Sequence, residues 1–194
     1  MVATVASIDT PVRILAVCTG NVCRSPYAQA VLGAWLDEVA PGAARVTSCG
    51  TGVNPRITVP DVVHELAAGA GADLDGFASR ALTPPIVRDA DLVLTATAAH
   101  RVKVLDELPD AVNRTFRLLE FAQLSSANPP PSPLASRGDW QDHVARIARL
   151  RGSTSGGAAL DLEDPFGRGH DAYEAMAASI DPALKQIVAL AGAR

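Results

Sequence analysis

The stretch Cys18-Thr19-Gly20-Asn21-Val22-Cys23-Arg24-Ser25-Pro26 decides how the rest of the chain is arranged. Before it lies the apolar run 12–17, which is rich in β-branched residues and typical of a buried strand. After it, the Ser-Pro pair predicts the start of a helix over 26–39, because proline presets φ and lacks an N–H that would have no partner there. The sequence therefore predicts a strand, a tight loop at 18–25 and a helix.

This loop combines a phosphate-binding backbone with a nucleophile. A loop that leads into a helix N-terminus directs several backbone N–H groups, and the positive end of the helix dipole, to one point. Gly20 and Asn21 tolerate positive φ, and Arg24 can bind two phosphate oxygens with its planar guanidinium. Cys18 lies where the N–H groups converge, which favours its thiolate, and the Ser25 hydroxyl can donate to it. A thiolate there predicts attack on phosphorus, whereas a lone buried cysteine would be structural.

Size and charge limit the class of protein. With 194 residues, 48% of them hydrophobic, the chain is expected to form a single domain over 1–194 with a proper core. A net charge of −4 argues against nucleic acid as a partner. No apolar run approaches the roughly 20 residues of a membrane span, so we expect no membrane insertion. Arginine far outnumbers lysine, which is typical of a GC-rich bacterium.

Two further features concern location and metals. Residues 1–11 lack the charged start and apolar core of a signal peptide, so they predict a loose leader on a cytoplasmic protein. Three cysteines are too few for a disulfide framework, and the four histidines are scattered without metal-ligand spacing. The sequence therefore predicts no metal site.

Strands and helices alternate along the chain. Such alternation predicts an α/β fold, a three-layer sandwich with a four-stranded parallel sheet and helices on both faces. Ligands of such sheets bind at the carboxyl ends of the strands, which is where the loop at 18–25 lies. Besides strand 12–17, the predicted strands are 45–49, 91–95 and 112–116, and the predicted helices start near 60 and cover 83–88, 97–107 and 117–124.

Residues 125–160 differ in character from the rest. The proline-rich run 128–133 cannot continue a helix or a central strand. Residues 138–151 predict an amphipathic helix, and 152–157 a flexible Gly/Ser link. We interpret 125–160 as an insert. Either it packs on the domain through its apolar stripe, or it covers the site or docks a partner.

The motif Leu162-Glu163-Asp164-Pro165-Phe166-Gly167 supplies the second part of the chemistry. Breaking a phosphate ester requires a proton for the leaving oxygen, which a loop carboxylic acid opposite the nucleophile can donate. Asp164 is the candidate, and Phe166 offers a ring for a flat substrate. Asp181-Pro182 is a rival copy, but it directly precedes the apolar run 183–190 and so predicts a helix cap followed by the first residue of a helix.

These motifs and their spacing resemble those of the low-molecular-weight protein tyrosine phosphatases, over all of the chain except 1–11 and most of 125–160. The resemblance implies a phosphocysteine intermediate and no cofactor. It implies that Cys18 is the nucleophile, Arg24 the phosphate clamp and Asp164 the general acid. It further implies phosphate- or substrate-binding positions and one supporting residue: Thr19, Gly20, Asn21, Val22, Cys23, Ser25 and Phe166 for binding, with Ser48 in support.

The resemblance also implies substrates and partners. The expected substrate is phosphotyrosine in a protein, and a bacterial tyrosine kinase is a candidate partner. Phosphoarginine is the alternative substrate. Arginine phosphatases of the family tend to carry Thr where this chain has Val22, and the apolar valine favours phosphotyrosine. Arsenate reductases on this fold need extra cysteines in the helix region after the third strand. Residues 79–124 contain none, which argues against an arsenate reductase. A non-catalytic phosphate-binding module is the alternative from another class.

Three positions need comment. In relatives the cysteine matched by Cys23 can trap the oxidised nucleophile as a disulfide, although here it can also serve packing alone. Phe77 stands where some relatives have a histidine that helps to hold the residue matched by Asn21. Thr97 stands where some relatives have an aspartate in the loop after the third strand.

Overall fold

The computed structural model describes residues 10–151 and 158–192; the first nine residues of the predicted leader and the Gly/Ser link lie outside those ranges. The strands are β1 (Val12–Cys18), β2 (Ala44–Gly50), β3 (Leu92–Thr95) and β4 (Thr115–Arg117). The helices are α1 (Arg24–Val39), α2 (Asp61–Gly69), α3 (Pro84–Arg88), α4 (Ala98–Glu107), α5 (Leu118–Ala127), α6 (Arg137–Leu150) and α7 (His170–Val188).

The four strands form one parallel sheet in the order β2-β1-β3-β4. The register places Cys18 beside Gly50, and Val17 between Cys49 and Thr95. The carboxyl ends of the three strands therefore meet at one edge, and the loop that follows β1 begins there. The predicted four-stranded parallel α/β sheet is confirmed.

Alternate residues of the strands face two separate hydrophobic cores, because successive side chains of a strand point to opposite faces. On one face Ile14, Leu92 and Phe116 pack with the apolar faces of α1, α5 and α7. On the other, Leu15 and Val93 pack with residues of α3, α4 and the 3₁₀ turn Pro109–Arg114. Helices thus cover both faces, which confirms the three-layer arrangement.

The structure corrects the predicted start of the fourth strand and the predicted role of Asp181-Pro182. Strand 112–116 is in fact Thr115–Arg117, because residues 109–114 form a 3₁₀ turn that the Thr115 hydroxyl closes by donating to Ala111 O at 2.8 Å. Asp181-Pro182 does not start a helix: it lies inside α7, whose residues on both sides of the proline are buried in the core. Burial along the whole helix outweighs the hydrogen bond that proline cannot make. Asp181 accepts instead from the Tyr27 hydroxyl at 2.8 Å.

The segment predicted as an insert is partly helical and packed. Helix α5 extends to Ala127, three residues beyond its predicted end. Helix α6 buries Trp140, Val144 and Ile147, as the packed alternative requires. Its first turn binds the body of the protein through Arg137, whose Nε and Nη2 each donate to Asp91 at 2.9 Å. A covering or docking role for 125–160 stays a prediction.

No helix in the described part of the chain is both long enough and apolar enough to cross a bilayer.

Candidate active site

The loop between β1 and α1 turns several N–H groups in one direction. Cys18 O and Thr19 O accept from the N–H groups of residues 51 and 52 at 2.9 Å, and Asn21 O accepts from the Ser79 hydroxyl at 2.7 Å. In a trans peptide the N–H points opposite to the C=O, so the N–H groups of Thr19, Gly20 and Val22 face away from these partners. Those three residues line a cavity of about 170 Å³.

Two residues make the tight loop possible. Asn21 has φ 55°, a left-handed conformation that asparagine adopts more readily than most residues. A Cβ on Gly50 would lie 2.4 Å from Thr19 O and 2.9 Å from Asn21 N, so only glycine fits where β2 passes beneath the loop.

The side chain of Asn21 is completely buried and ties the loop to β2. Its Nδ2 donates to Ser25 Oγ at 2.9 Å and to Ser48 Oγ at 2.8 Å. Its Oδ1 accepts from the backbone N–H of Arg80 at 2.9 Å, and Arg80 Nε donates to Ser48 O at 2.7 Å. The structure therefore brings Asn21, Ser25 and Ser48 into one network. Phe77 has no polar group with which to hold Asn21. The backbone N–H of Arg80 holds Asn21 instead.

Cys18 and Arg24 lie at the two ends of the loop, and both are buried. Cys18 Sγ is 3.0 Å from Ser25 Oγ, within hydrogen-bonding distance. Arg24 begins α1, and its Nη1 donates to Leu162 O at 3.1 Å. Its Nη2 donates to Asp164 Oδ2 at 2.5 Å. Arg24 thus connects the phosphate loop to the loop that carries the predicted acid.

The cavity is lined by both reactive and apolar side chains. Cys18, Arg24 and Asp164 are the residues that could react with or bind a phosphate ester, and Val22, Cys23, Ile57 and Phe166 contribute apolar surface. Phe166 is 48% exposed, so its ring is accessible to a ligand. The remaining lining residues are Thr19, Gly20, Gly52 and Asn54. Every predicted catalytic and substrate-binding residue except the buried Asn21 and Ser25 lines this one cavity, and those two lie directly behind it.

Comparison with known proteins identifies the family. The family model described as low molecular weight phosphotyrosine protein phosphatase matches residues 13–131. The chain belongs to this family. Among curated relatives, a probable low molecular weight protein-tyrosine-phosphatase, EpsP of Ralstonia nicotianae, is 35% identical over 60% of this chain and 77% of its own length. Low molecular weight protein-tyrosine phosphatase A of Mycobacterium tuberculosis is 30% identical over 91% and 90%.

A solved structure matches the fold of this family member. The YwlE arginine phosphatase from Geobacillus stearothermophilus superposes with a TM-score of 0.66 at 25% identity, over 92% of this chain and 91% of that one. The relatives of this phosphatase thus include proteins named for tyrosine and for arginine substrates.

Two further cysteines of the phosphatase are buried. Burial, together with the Cys18 side chain, raises the pKa of Cys23 to about 12. Burial likewise raises the pKa of Cys49 to about 12. Both side chains are therefore neutral thiols at physiological pH. In the described part of the chain no three His, Cys, Asp or Glu side chains are grouped as metal ligands would be.

Sequence reasoning missed His100. This residue of α4 is buried beside the phosphate loop, with Nε2 2.9 Å from Thr19 Oγ1 and Nδ1 2.8 Å from Thr97 Oγ1. Burial and the nearby Arg24 lower the pKa of His100 to about 4, so its ring is neutral. A trace of it exists in the sequence, because Thr97 caps α4 at the carboxyl end of β3 and places His100 in the first turn at that edge.

Proposed function

We propose that this member of the family is a protein-tyrosine-phosphatase that works through a phosphocysteine intermediate. The observation that supports it most is the unused donor of Arg24. Its Nε is buried and has no hydrogen-bond acceptor in the described ranges, although buried N–H groups nearly always have one. A phosphoryl oxygen held by the loop N–H groups would supply that acceptor, and Arg24 and Cys18 line the same cavity.

The proposed reaction has two displacements at phosphorus. The Cys18 thiolate, stabilised by a hydrogen bond from Ser25, forms a P–S bond while the ester P–O bond breaks. Asp164 gives its proton to the departing phenolate oxygen. The Asp164 carboxylate then takes a proton from water, which attacks phosphorus, and the P–S bond breaks to return the thiolate and release phosphate. Arg24 and the loop N–H groups bind the phosphoryl oxygens throughout, where negative charge is concentrated.

The cavity walls favour phosphotyrosine over phosphoarginine. Phe166, Val22 and Ile57 give an apolar slot suited to the face of a phenyl ring. The guanidinium of phosphoarginine carries several N–H donors that need acceptors when buried. Among the described residues that line the cavity, Asp164 is the one carboxylate, and it is the predicted acid, so few acceptors are available for a guanidinium.

The test is hydrolysis of phosphotyrosine, phosphoserine and phosphoarginine peptides by the wild type, Cys18→Ser and Cys49→Ala. We expect turnover selective for phosphotyrosine, lost in Cys18→Ser and kept in Cys49→Ala, whose thiol is buried away from the cavity. Preferred turnover of phosphoarginine would reassign the substrate within the same chemistry. Phosphate binding without turnover of any peptide would identify a phosphate-binding module instead. The protein partner, a kinase partner and the cytoplasmic location stay predictions of the sequence.

A further inference from the structure

Thr19 lines the cavity, and its hydroxyl oxygen has two polar neighbours from the protein. Arg24 Nη2 donates to Thr19 Oγ1 at 3.4 Å, and His100 Nε2 lies 2.9 Å from the same oxygen. A hydroxyl accepts up to two hydrogen bonds and donates one. If both neighbours donate, neither of them can accept the hydrogen of the Thr19 hydroxyl. That hydrogen is then available to a molecule bound in the cavity.

The surroundings of His100 allow a neutral ring that carries its proton on Nε2. The backbone N–H of His100 donates to Thr97 Oγ1 at 3.2 Å, so that oxygen already accepts one bond as the cap of α4. The Thr97 hydroxyl can then donate to His100 Nδ1, 2.8 Å away. With Nδ1 accepting, the neutral ring carries its proton on Nε2 and donates to Thr19. In this arrangement the three groups form one directed chain of hydrogen bonds: Thr97 O–H to His100, His100 N–H to Thr19, and Thr19 O–H to a molecule bound in the cavity.

We propose that His100 is a positioning residue that turns the Thr19 hydroxyl into a hydrogen-bond donor to an oxygen of the bound phosphoryl group. These hydrogen bonds also hold Thr19 against Arg24. The buried imidazole of His100 therefore supports both Thr19 and Arg24, which are expected to bind phosphate. The low exposure of His100 fits this role, because a buried ring with both nitrogens bonded has a single orientation. This inference rests on the proposed function only in naming phosphate as the ligand.

Calorimetry of inorganic phosphate binding to Cys18→Ser protein tests this chain of hydrogen bonds without any turnover. His100→Asn removes the donor to Thr19, while His100→Gln places an amide N–H where Nε2 lies. Thr19→Val removes the hydroxyl, and Thr19→Ser keeps it. We expect His100→Asn and Thr19→Val each to weaken phosphate binding about 10- to 100-fold, the usual effect of one hydrogen bond to a charged group. His100→Gln and Thr19→Ser should bind within a few-fold of the parent.

The double variant His100→Asn/Thr19→Val decides whether His100 acts through Thr19. If it does, the double variant binds phosphate no more weakly than Thr19→Val alone. Additive losses, or unchanged phosphate affinity in His100→Asn, would overturn the proposal. If His100→Asn does not fold, equal affinity of Thr19→Val and Thr19→Ser would overturn it as well. Failure of the proposed enzymatic function would appear separately, as absence of turnover in the Cys18-containing protein with the phosphate-binding pattern intact.

Discussion

At the scale of single residues, the acid loop carries the clearest kinetic prediction. Asp164 is half-exposed at the mouth of the cavity and bonded to Arg24. Replacing it with Ala should lower kcat by roughly 10²- to 10⁴-fold for a poor leaving group, because the departing oxygen then leaves without a proton. For an aryl phosphate with a good leaving group the loss should be much smaller. Measuring kcat across aryl phosphates of graded leaving-group pKa checks this.

The neighbouring Glu163 gives a matched control. Its side chain is exposed and pairs with Arg168, outside the cavity lining. Glu163→Gln should therefore keep the leaving-group dependence of the wild type. A uniform loss of rate for Asp164→Ala across all leaving groups would mean that Asp164 only positions Arg24.

The three cysteines should differ in reactivity. Because burial raises the pKa values of Cys23 and Cys49 to about 12, neither forms an appreciable thiolate at pH 7, and thiolate is the nucleophilic form. We expect iodoacetamide to modify native protein once, at Cys18, as read by mass spectrometry of peptides. Inorganic phosphate should slow the reaction by occupying the loop. Equal labelling of Cys23 would contradict the prediction.

The phosphate loop could be predicted from the sequence because its functional residues follow one another closely along the chain. Cys18, Asn21 and Arg24 are spaced within one turn between a strand and a helix, so local rules are sufficient. His100 is different: its partner Thr19 lies 81 positions away, and the contact arises only because β1 and β3 are neighbours in the sheet. The replacement of a histidine at 77 by the backbone of Arg80 likewise depends on the fold.

At the scale of elements, long periodic segments were predicted well and short ones poorly. Strand β1 and helices α1, α4 and α6 lie within about two residues of their predicted bounds, because each is long enough to show a pattern in the sequence. Strand β4 has three residues, too few for a pattern, and its apparent start belongs to a 3₁₀ turn. The place of Pro182 inside α7 does not follow from local rules, which put proline at helix starts, because burial along α7 is a tertiary effect.

The attachment of α6 gives a prediction about stability. Asp91 is buried. Burial alone would raise its pKa, but hydrogen bonds from Arg137, from the N–H of Arg13 and from Gln141 hold the pKa below its ordinary value. Arg137→Met removes the two hydrogen bonds from Arg137 to Asp91. The buried Asp91 carboxylate then keeps only its hydrogen bonds from the N–H of Arg13 and from Gln141. We expect the free energy of unfolding to fall by about 1–3 kcal/mol, measured by urea denaturation.

Arg149→Met in the same helix is the matched control for this change. Arg149 is exposed, so its replacement should alter the free energy of unfolding by less than about 0.5 kcal/mol. Equal effects of the two substitutions would mean that helix propensity, and not the contact with Asp91, controls the docking of α6.

At the scale of the whole molecule, two buried histidines couple stability to acidity. His143 lies between α5 and α6, with Nε2 3.0 Å from Ser125 Oγ and Nδ1 2.9 Å from Arg146 Nη2. Burial, together with the Arg146 charge, lowers the pKa of His143 to about 4. His100, on the opposite side of the sheet, also has a pKa lowered to about 4. Protonation therefore opposes packing in both helical layers of the fold.

The sign and range of this effect follow from proton linkage. In the unfolded chain each histidine titrates near its ordinary pKa of about 6.5, whereas the folded state resists protonation until about pH 4. The stability contributed by each neutral ring is complete above pH 6.5, is lost as pH falls towards 4, and does not change further below that. For His143 the loss between pH 7 and 4.5 should be about 2–3 kcal/mol in the free energy of unfolding.

Urea denaturation of the wild type, His143→Gln and His170→Gln at several values between pH 7 and 4.5 tests this coupling. His143→Gln should be less stable at pH 7, because packing changes, yet lose less stability on acidification, because glutamine does not titrate. His170→Gln should follow the wild type, since the His170 side chain is exposed. All three proteins contain the same carboxylates, so the comparison of His143→Gln with both other proteins tests His143. A slope for His143→Gln that matches the wild type would show that the buried ring does not control acid stability.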